Sequence, residues 1–452
     1  MNEWYDAEQR VERAKELFDQ HKWSEALEEL RAAVSINPYN GGWFFNIGLT
    51  LDEMHRYDEA IDAYRQALEI DPDDIDFIYH LGADLSRVGR HDESLKIFNQ
   101  IEKLDANFEP AYCARIAVYC QLEDHQRAEE MFYLARQLKD ECPDCYFHIG
   151  SSFFDRDMFD KALHCWQKTL DLDDRHPQVH LRIAEAYRAK GKFDKARQHY
   201  LLELRQNPGD TETLLDLGEL LMEMNRTDEA GEKFRRAIEM SPDVPEGHYY
   251  YGRWLHENDR GEEATDAYQK TLQLDPTFPG AHLQLGKIWH QAGDMERARR
   301  HLRNEHLLMP EDPQTMLDLS NLLLDTGESL MAVACLKRLT DREPENANAW
   351  QNLGVAYFHE NMFEDGLIAC RHAIECDPLH LMAMYNLAVA FEQMRQFDNA
   401  IDWVKRGLAI DPREPAFLKL DMRLRLLRLG ATVARICKGV LKLGRPFRKP
   451  IH

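Results

Sequence analysis

Apolar residues along this chain fall in short helical blocks, two to a module, and the module recurs without a gap. In the stretch from Gly41 to Asp74, apolar positions repeat at helical spacing in two blocks separated by a polar turn, and Asp71-Pro72 stops the second block. Each module is therefore predicted to be a helical hairpin. One hairpin cannot bury its apolar face alone, but a stack of them buries a continuous seam, with stability coming from the interfaces between neighbours.

The period is 34 residues and it never slips. Ala26, Ala60, Ala128, Ala162, Ala196, Ala230, Ala264, Ala298, Ala332 and Ala400 share one phase, with the small residues Ser94 and Gly366 completing it. Pro38, Pro72, Pro208, Pro242, Pro276, Pro310, Pro344, Pro378 and Pro412 share a second phase, which Ala106, Asp140 and Asp174 fill elsewhere. A third phase carries Gly48, Gly82, Gly150, Gly218, Gly252, Gly286 and Gly354, with Ala14, Ala184, Ala388 and Ser320 as small substitutes and Ile116 as the one misfit. Large residues hold complementary positions, and small opposite large is what close helix packing requires. The fourth unit departs most from the pattern, at Arg115, Ile116 and Asp140, and divergence compensated by neighbouring residues is expected there, with a local change in curvature as the alternative.

The run Trp350-x2-Leu353-Gly354-x2-Tyr357, followed by Cys370, Ala373 and Pro378, resembles the tetratricopeptide repeat, and the same template fits twelve units over residues 7–414. The resemblance implies an all-α fold: a right-handed superhelical solenoid of helix-turn-helix units, closed by C-terminal capping helices. Residues 1–6 become an N-terminal extension and 415–452 a basic helical extension and tail. The resemblance also implies that the first helices line a concave groove for peptides or partner proteins, with positions 2, 5, 9, 12 and 13 of each unit forming its wall. Position 5 is then an apolar and aromatic stripe that includes Phe45, Tyr79, Phe147, Tyr249 and Tyr385. Positions 2 and 13 set carboxylates beside it, among them Glu53, Asp76, Asp144, Asp155, Glu212, Glu223, Glu246 and Glu257. A partner segment carrying Lys or Arg with apolar anchors is the ligand such a groove expects. The competing reading is that the stripe is inter-helix packing and the acids solubilise a helical surface. The Lys and Asn set with which related repeats clamp chaperone C-termini is absent from every run of three units, and Asn46, Asn352 and Asn386 do not make the continuous asparagine ladder of the sugar-transferase branch.

Charge sharpens this picture. Of 452 residues, 56 are Lys or Arg and 80 are Asp or Glu, a formal net charge of -24 that disfavours nucleic-acid binding by the bulk of the molecule. Residues 413–452 invert the sign: 11 Lys or Arg stand against Glu414 and Asp421, leaving the rest at -33. On a helical projection Phe417, Leu420, Leu424 and Leu427 form one apolar face and Leu418, Met422, Leu426 and Leu429 another; after Gly430, Val433, Ile436, Val440 and Leu443 predict a shorter basic amphipathic helix. The extension can cap the solenoid, rest on anionic lipid as the anchor of a membrane-associated assembly factor, or lie in an acidic groove or on an acidic partner. No window offers about 18 uncharged apolar residues, and the start of the chain lacks an export signal, so a soluble cytoplasmic protein with reduced thiols is expected.

Catalytic signatures do not stand out, and neither an enzyme nor a cofactor is expected. The only Cys-x-x-Cys is Cys142-Pro143-Asp144-Cys145, with Cys113, Cys120, His148, His164 and Cys165 near it in the sequence. Zinc would want a second correctly spaced pair and a thioredoxin-like redox site a βαβ setting. Neither is visible, so these cysteines are expected to be turn and core residues.

Overall fold

The computed structural model describes residues 2–138 and 141–443, and side-chain surroundings for 4–138 and 141–430. Asp140 and the tail beyond Leu443, including Gly444-Arg445-Pro446, lie outside the described residues. The described residues form 25 α-helices and no strand. The protein is an all-α repeat solenoid that divides into two compact units, Met1–Arg226 and Thr227–His452.

The first unit holds six hairpins and a thirteenth helix. The hairpins are α1 (Asn2–Asp19) with α2 (Trp23–Ile36), α3 (Gly41–Glu53) with α4 (Tyr57–Ile70), and α5 (Ile75–Arg87) with α6 (His91–Leu104). They continue as α7 (Glu109–Gln121) with α8 (His125–Leu138), α9 (Pro143–Asp155) with α10 (Phe159–Leu172), and α11 (Val179–Ala189) with α12 (Phe193–Gln206), followed by α13 (Thr211–Glu223). The second unit opens with α14 (Thr227–Met240) and continues through α15 (Pro245–Glu257), α16 (Gly261–Leu274), α17 (Ala281–Gln291), α18 (Met295–Leu307), α19 (Pro313–Asp325) and α20 (Ser329–Arg342). It ends with α21 (Ala347–His359), α22 (Phe363–Cys376), α23 (Leu381–Gln393), α24 (Phe397–Ile410) and the long α25 (Pro415–Leu443).

Four hairpins close on one interlock. A Cβ added to Gly48 would sit 2.3 Å from the Tyr64 ring, one at Gly82 would sit 2.6 Å from Phe98, and one at Gly150 would sit 2.5 Å from Trp166. Gly252 lies under Tyr268 in the same way. Trp166, Tyr64, Tyr200, Tyr268, Phe98 and Phe234 are among the largest fully buried side chains of the described residues, and all six occupy the same phase of the period. The position selects volume over polarity, since the hydroxyls of Tyr64, Tyr200 and Tyr268 are buried without a hydrogen-bond partner. Burying one such ring contributes about 1.5–3 kcal/mol, so the interlock is the largest recurring apolar term in the repeat.

The turn inside each hairpin is equally regular. One residue per hairpin adopts positive φ, for example His55 at 57°, Glu123 at 55° and Gly191 at 66°. The following amide then reaches back to close the first helix, as Arg56 does to the Leu51 carbonyl at 2.9 Å. Between hairpins the next first helix is capped by a side chain at constant phase: Asn40 accepts from Trp43 N–H, Asp210 from Thr213, Asp312 from Thr315 and Asn346 from Ala349. Before α11 and α17, where that cap is missing, a buried carboxylate takes its place. Glu305 is fully buried and its two oxygens accept the Gly280 and Leu283 N–H groups at 2.8 and 3.0 Å, while Glu203 accepts from Leu181 at 3.3 Å.

The C-terminal helix differs from the sequence-based expectation. The helix break expected after Gly430 is absent, and α25 runs unbroken to Leu443; a single helical glycine costs only about 1 kcal/mol relative to alanine, too little to end a helix by itself. The fourth hairpin keeps its irregular residues by pairing them: Arg115 is buried, donates to Glu102 at 2.7 Å and packs over the Tyr112 ring, and Ile116 is fully buried. At this place α7 and α9 pack against each other more extensively than any other two successive first helices.

Candidate protein-binding face

In the first unit α5, α7, α9 and α11 touch in succession, and in the second α17, α19, α21, α23 and α25 do the same. Odd-numbered helices therefore line the side of shorter radius within each of these runs, and their outward-turned residues share one face. Polar links knit that face at nearly one repeat's separation: Ser86 to Gln121, Arg87 to Asp52, Arg188 to Glu223 and His256 to Gln291.

The five aromatic candidates are half-buried, and each also packs between helices. Phe45 stacks on Phe77 at 4.7 Å, Tyr79 meets Phe98 and Phe108, and Phe147 lies against His176 at 4.8 Å. In the second unit Tyr249 lies 5.0 Å from Phe278, and Tyr385 meets Phe417 edge-on. Their rings are fixed by packing and keep one part open to solvent, which presents apolar area at little entropic cost.

The eight carboxylate candidates, Glu53, Asp76, Asp144, Asp155, Glu212, Glu223, Glu246 and Glu257, are all exposed. Two have partners on the same face. His176 Nε2 donates to Asp144 at 2.9 Å, which holds the Asp144 carboxyl below its usual range, and Glu223 accepts from Arg188 at 2.5 Å. Burial raises Asp155.

Between α9 and α13 the face opens into a cleft of about 620 Å³ lined by Phe154, Arg182, Arg188, Tyr200, Asp216 and Glu223. Arg188 is held by Glu223 and Glu219, and Arg182 by Glu185 at 3.0 Å. Burial, helped by the negative Glu185, Glu212 and Glu219 and opposed by Arg188, lifts Asp216 to about 7. This stretch is thus a mixed patch whose cations are already paired, not a simple acidic surface.

A second group of side chains meets at the junction of the fourth and fifth hairpins. Glu109 and Cys113 on α7 join Cys142 and Cys145 at the start of α9, and their ligating atoms all lie within 4.8 Å of one another. The three cysteines are buried. Cys120, His148, His164 and Cys165 do not belong to this group. The turn-and-core expectation for Cys142 and Cys145 named Cys113 among the nearby cysteines but overlooked Glu109, one helical turn before it in the preceding repeat; that Glu-x3-Cys spacing was the available signal.

At the C-terminus Phe417, Leu420 and Leu424 are buried against α23 and α24, and Arg423 and Arg428 pair with Glu392 and Asp398. Leu418, Met422, Leu426 and Leu429 are exposed, while Leu427, expected on the docked face, is also 42% exposed. No helix among the described residues is long and apolar enough to cross a membrane.

Two sequence models described as tetratricopeptide repeat match, one over residues 43–74 and the other over 148–211, 215–279, 317–380 and 371–415. The chain belongs to the tetratricopeptide repeat family. Over 108 residues it is 26% identical to a BBSome complex member BBS4 homolog of Drosophila melanogaster, covering 20% of this chain and 22% of that protein, so the match spans about a fifth of that relative. Among solved structures it is similar to the APC/C hetero-tetramer Cut9-Hcn1 at 16% identity, covering 91% of this chain and 95% of that one with a TM-score of 0.41. Yeast Tom70 is similar at 13% identity over 94% and 96% of the two chains, also with a TM-score of 0.41.

A proton on Asp216 gives this repeat array a measurable pH dependence. Its folded pKa lies above the unfolded value, so its contribution is most favourable below about pH 4 and is lost as pH rises through 7. Asp216→Asn is expected to stabilise the first unit relative to wild type more at pH 8.5 than at pH 5.5, by a difference on the order of 2 kcal/mol in urea denaturation. Equal effects at both pH values would contradict the assignment.

Proposed function

We propose that this repeat protein is a non-catalytic scaffold or adaptor, which holds a segment of a partner protein along the face made by its odd-numbered helices. The family and the helix-lined face support a role in protein–protein interaction. The finer reading is that the segment carries Lys or Arg together with apolar anchors. The observation that carries it is the pairing of exposed carboxylates, Glu53, Asp76, Glu212, Glu246 and Glu257 among them, with half-open aromatic rings held rigid by packing. Exposed acids steer a cationic partner and the rings supply contact area. In this reading residues 7–414 act as the binding array, 1–6 and 415–452 are extensions, and the protein works in the cytoplasm.

A pair of labelled amphipathic peptides with equal apolar content, one basic and one acidic, tests this with the full-length protein. The basic peptide is expected to bind and to weaken as salt rises from 50 to about 300 mM, because exposed charges are screened within roughly 10 Å at 0.1 M. Glu246→Lys with Glu257→Lys, and separately Tyr79→Ala with Phe147→Ala, are expected to weaken binding about tenfold or more. Equal binding of both peptides, unaffected by either pair of substitutions, would defeat the reading.

A second reading draws on α25. Its exposed Leu418, Met422, Leu426 and Leu429 lie beside basic residues, a pattern suited to an anionic lipid surface and to a membrane-associated assembly factor. Removing the whole helix would also uncover the core under Phe417, so the test is Met422→Ser, Leu426→Ser and Leu429→Ser together. Flotation with phosphatidylserine vesicles is expected for wild type and lost in the variant; identical behaviour of the two ends this reading.

A further inference from the structure

The repeat pattern is broken most heavily in the fourth hairpin, and where it meets the fifth one carboxylate and three thiols converge. Before α3, α5, α13, α19 and α21 the residue preceding the helix caps it with an Asp or Asn oxygen. Before α9 that residue is Cys142, whose sulfur accepts the Cys145 N–H at 3.3 Å. A thiolate at a helix N-terminus is stabilised by the same unpaired N–H groups that favour a carboxylate cap. One turn in, Cys145 points back at α7, its sulfur 3.4 Å from Glu109 Oε1. Cys113, four residues beyond Glu109 on the same helix, completes the group from the other side.

We propose that Glu109, Cys113, Cys142 and Cys145 form a structural zinc site that clips the fourth hairpin to the fifth. Zinc is bound tetrahedrally by thiolates at about 2.3 Å, which places neighbouring sulfurs about 3.8 Å apart and a sulfur and a carboxylate oxygen about 3.5 Å apart. The Cys145 to Glu109 separation of 3.4 Å already has that length, and the remaining ligand atoms, all within 4.8 Å, need to close by at most about 1.3 Å. Three sulfur donors and one oxygen select zinc over the hard cations magnesium and calcium, which take oxygen ligands. On binding, the three thiols release their protons to solvent and the ion is left with four anionic donors. That surplus of negative charge sits at two helix N-termini, since Glu109 is in the first turn of α7 and Cys142 caps α9. With four protein ligands from two helices the site is closed, as structural zinc sites are, and offers no open position for catalysis. The clip also accounts for the unusually extensive packing of α7 on α9.

The test uses the full-length protein, reduced and stripped of metal under anaerobic conditions, with Co²⁺ as the optical probe and Zn²⁺ as competitor. One equivalent of Co²⁺ is expected to bind with thiolate-to-cobalt charge transfer of three-sulfur intensity and the strong visible bands of tetrahedral cobalt, and one equivalent of Zn²⁺ is expected to abolish both. Cys113→Ser and Cys145→Ser should each weaken cobalt binding more than about 100-fold, beyond the loss typical of residues that only support a ligand. Glu109→Gln should keep the three-sulfur charge transfer, change the visible bands and weaken binding at least about tenfold. Cys165→Ser should change nothing. In the zinc-loaded wild type, hydrogen exchange across α7–α9 should slow relative to the stripped protein. Failure of reduced wild type to take up cobalt would overturn the proposal without reference to any variant. So would unchanged binding in Cys113→Ser, unchanged bands in Glu109→Gln, or recovery of the native protein without metal and with Cys142 and Cys145 joined as a disulfide.

Discussion

Four hairpins of this protein close because a glycine with no room for a side chain lies beneath a large ring of the following helix. At Gly48 and Tyr64, Gly82 and Phe98, Gly150 and Trp166, and Gly252 and Tyr268, even one added carbon would fall inside the ring's van der Waals surface. Interiors this close to crystalline density tolerate neither the missing ring nor the extra methyl group, so register and helix separation are set together. The constant turn follows from it. With the helices held at one distance, the connecting chain has a single way to reverse, and it accepts positive φ even at His55, Glu123 and Arg395, where the conformation is unfavourable for a side chain.

The candidate binding face is a consequence of the same geometry. Successive first helices touch along the α5–α11 and α17–α25 runs, so residues at one phase recur on one side, where aromatics are clamped by neighbours and carboxylates remain in water. Rigid rings and solvated charges suit recognition of an extended segment more than chemistry on a small molecule. The Arg188 and Asp216 region shows the limit of reading such a face by charge alone. There, Glu223, which looks like a free groove acid, is committed to Arg188, and Asp216 is held near neutral by burial.

Much of this was legible in the sequence because a strict period turns local patterns into spatial ones. Gly48 and its counterparts and the stops at Pro72 and Pro208 could be read from phase alone, and a helical projection marked Phe417 and Leu420 as a face able to dock on the last repeat. What phase does not carry was missed. Glu305 and Glu203 share the phase of Ala33, Ala67, Ala237 and Ala373, which is buried throughout, but nothing in that phase marks them as caps for the next helix. Glu109 and Cys113 belong to one repeat and Cys142 and Cys145 to the boundary of the next, so their meeting depends on how closely α7 and α9 approach. Gly430 looked like a helix end, yet helical residues on both sides carry α25 through it.

The interlock is tested most directly by a double-mutant cycle on Gly82→Ala and Phe98→Leu, read by urea denaturation. Gly82→Ala alone forces the Phe98 ring out of place and should cost about 1–3 kcal/mol, and Phe98→Leu alone loses buried ring area at a similar cost. Together they should cost at least about 1 kcal/mol less than the sum, because the smaller side chain makes room for the methyl group. Strict additivity would mean that the two positions do not constrain one another, and the account of how these hairpins close would then be wrong.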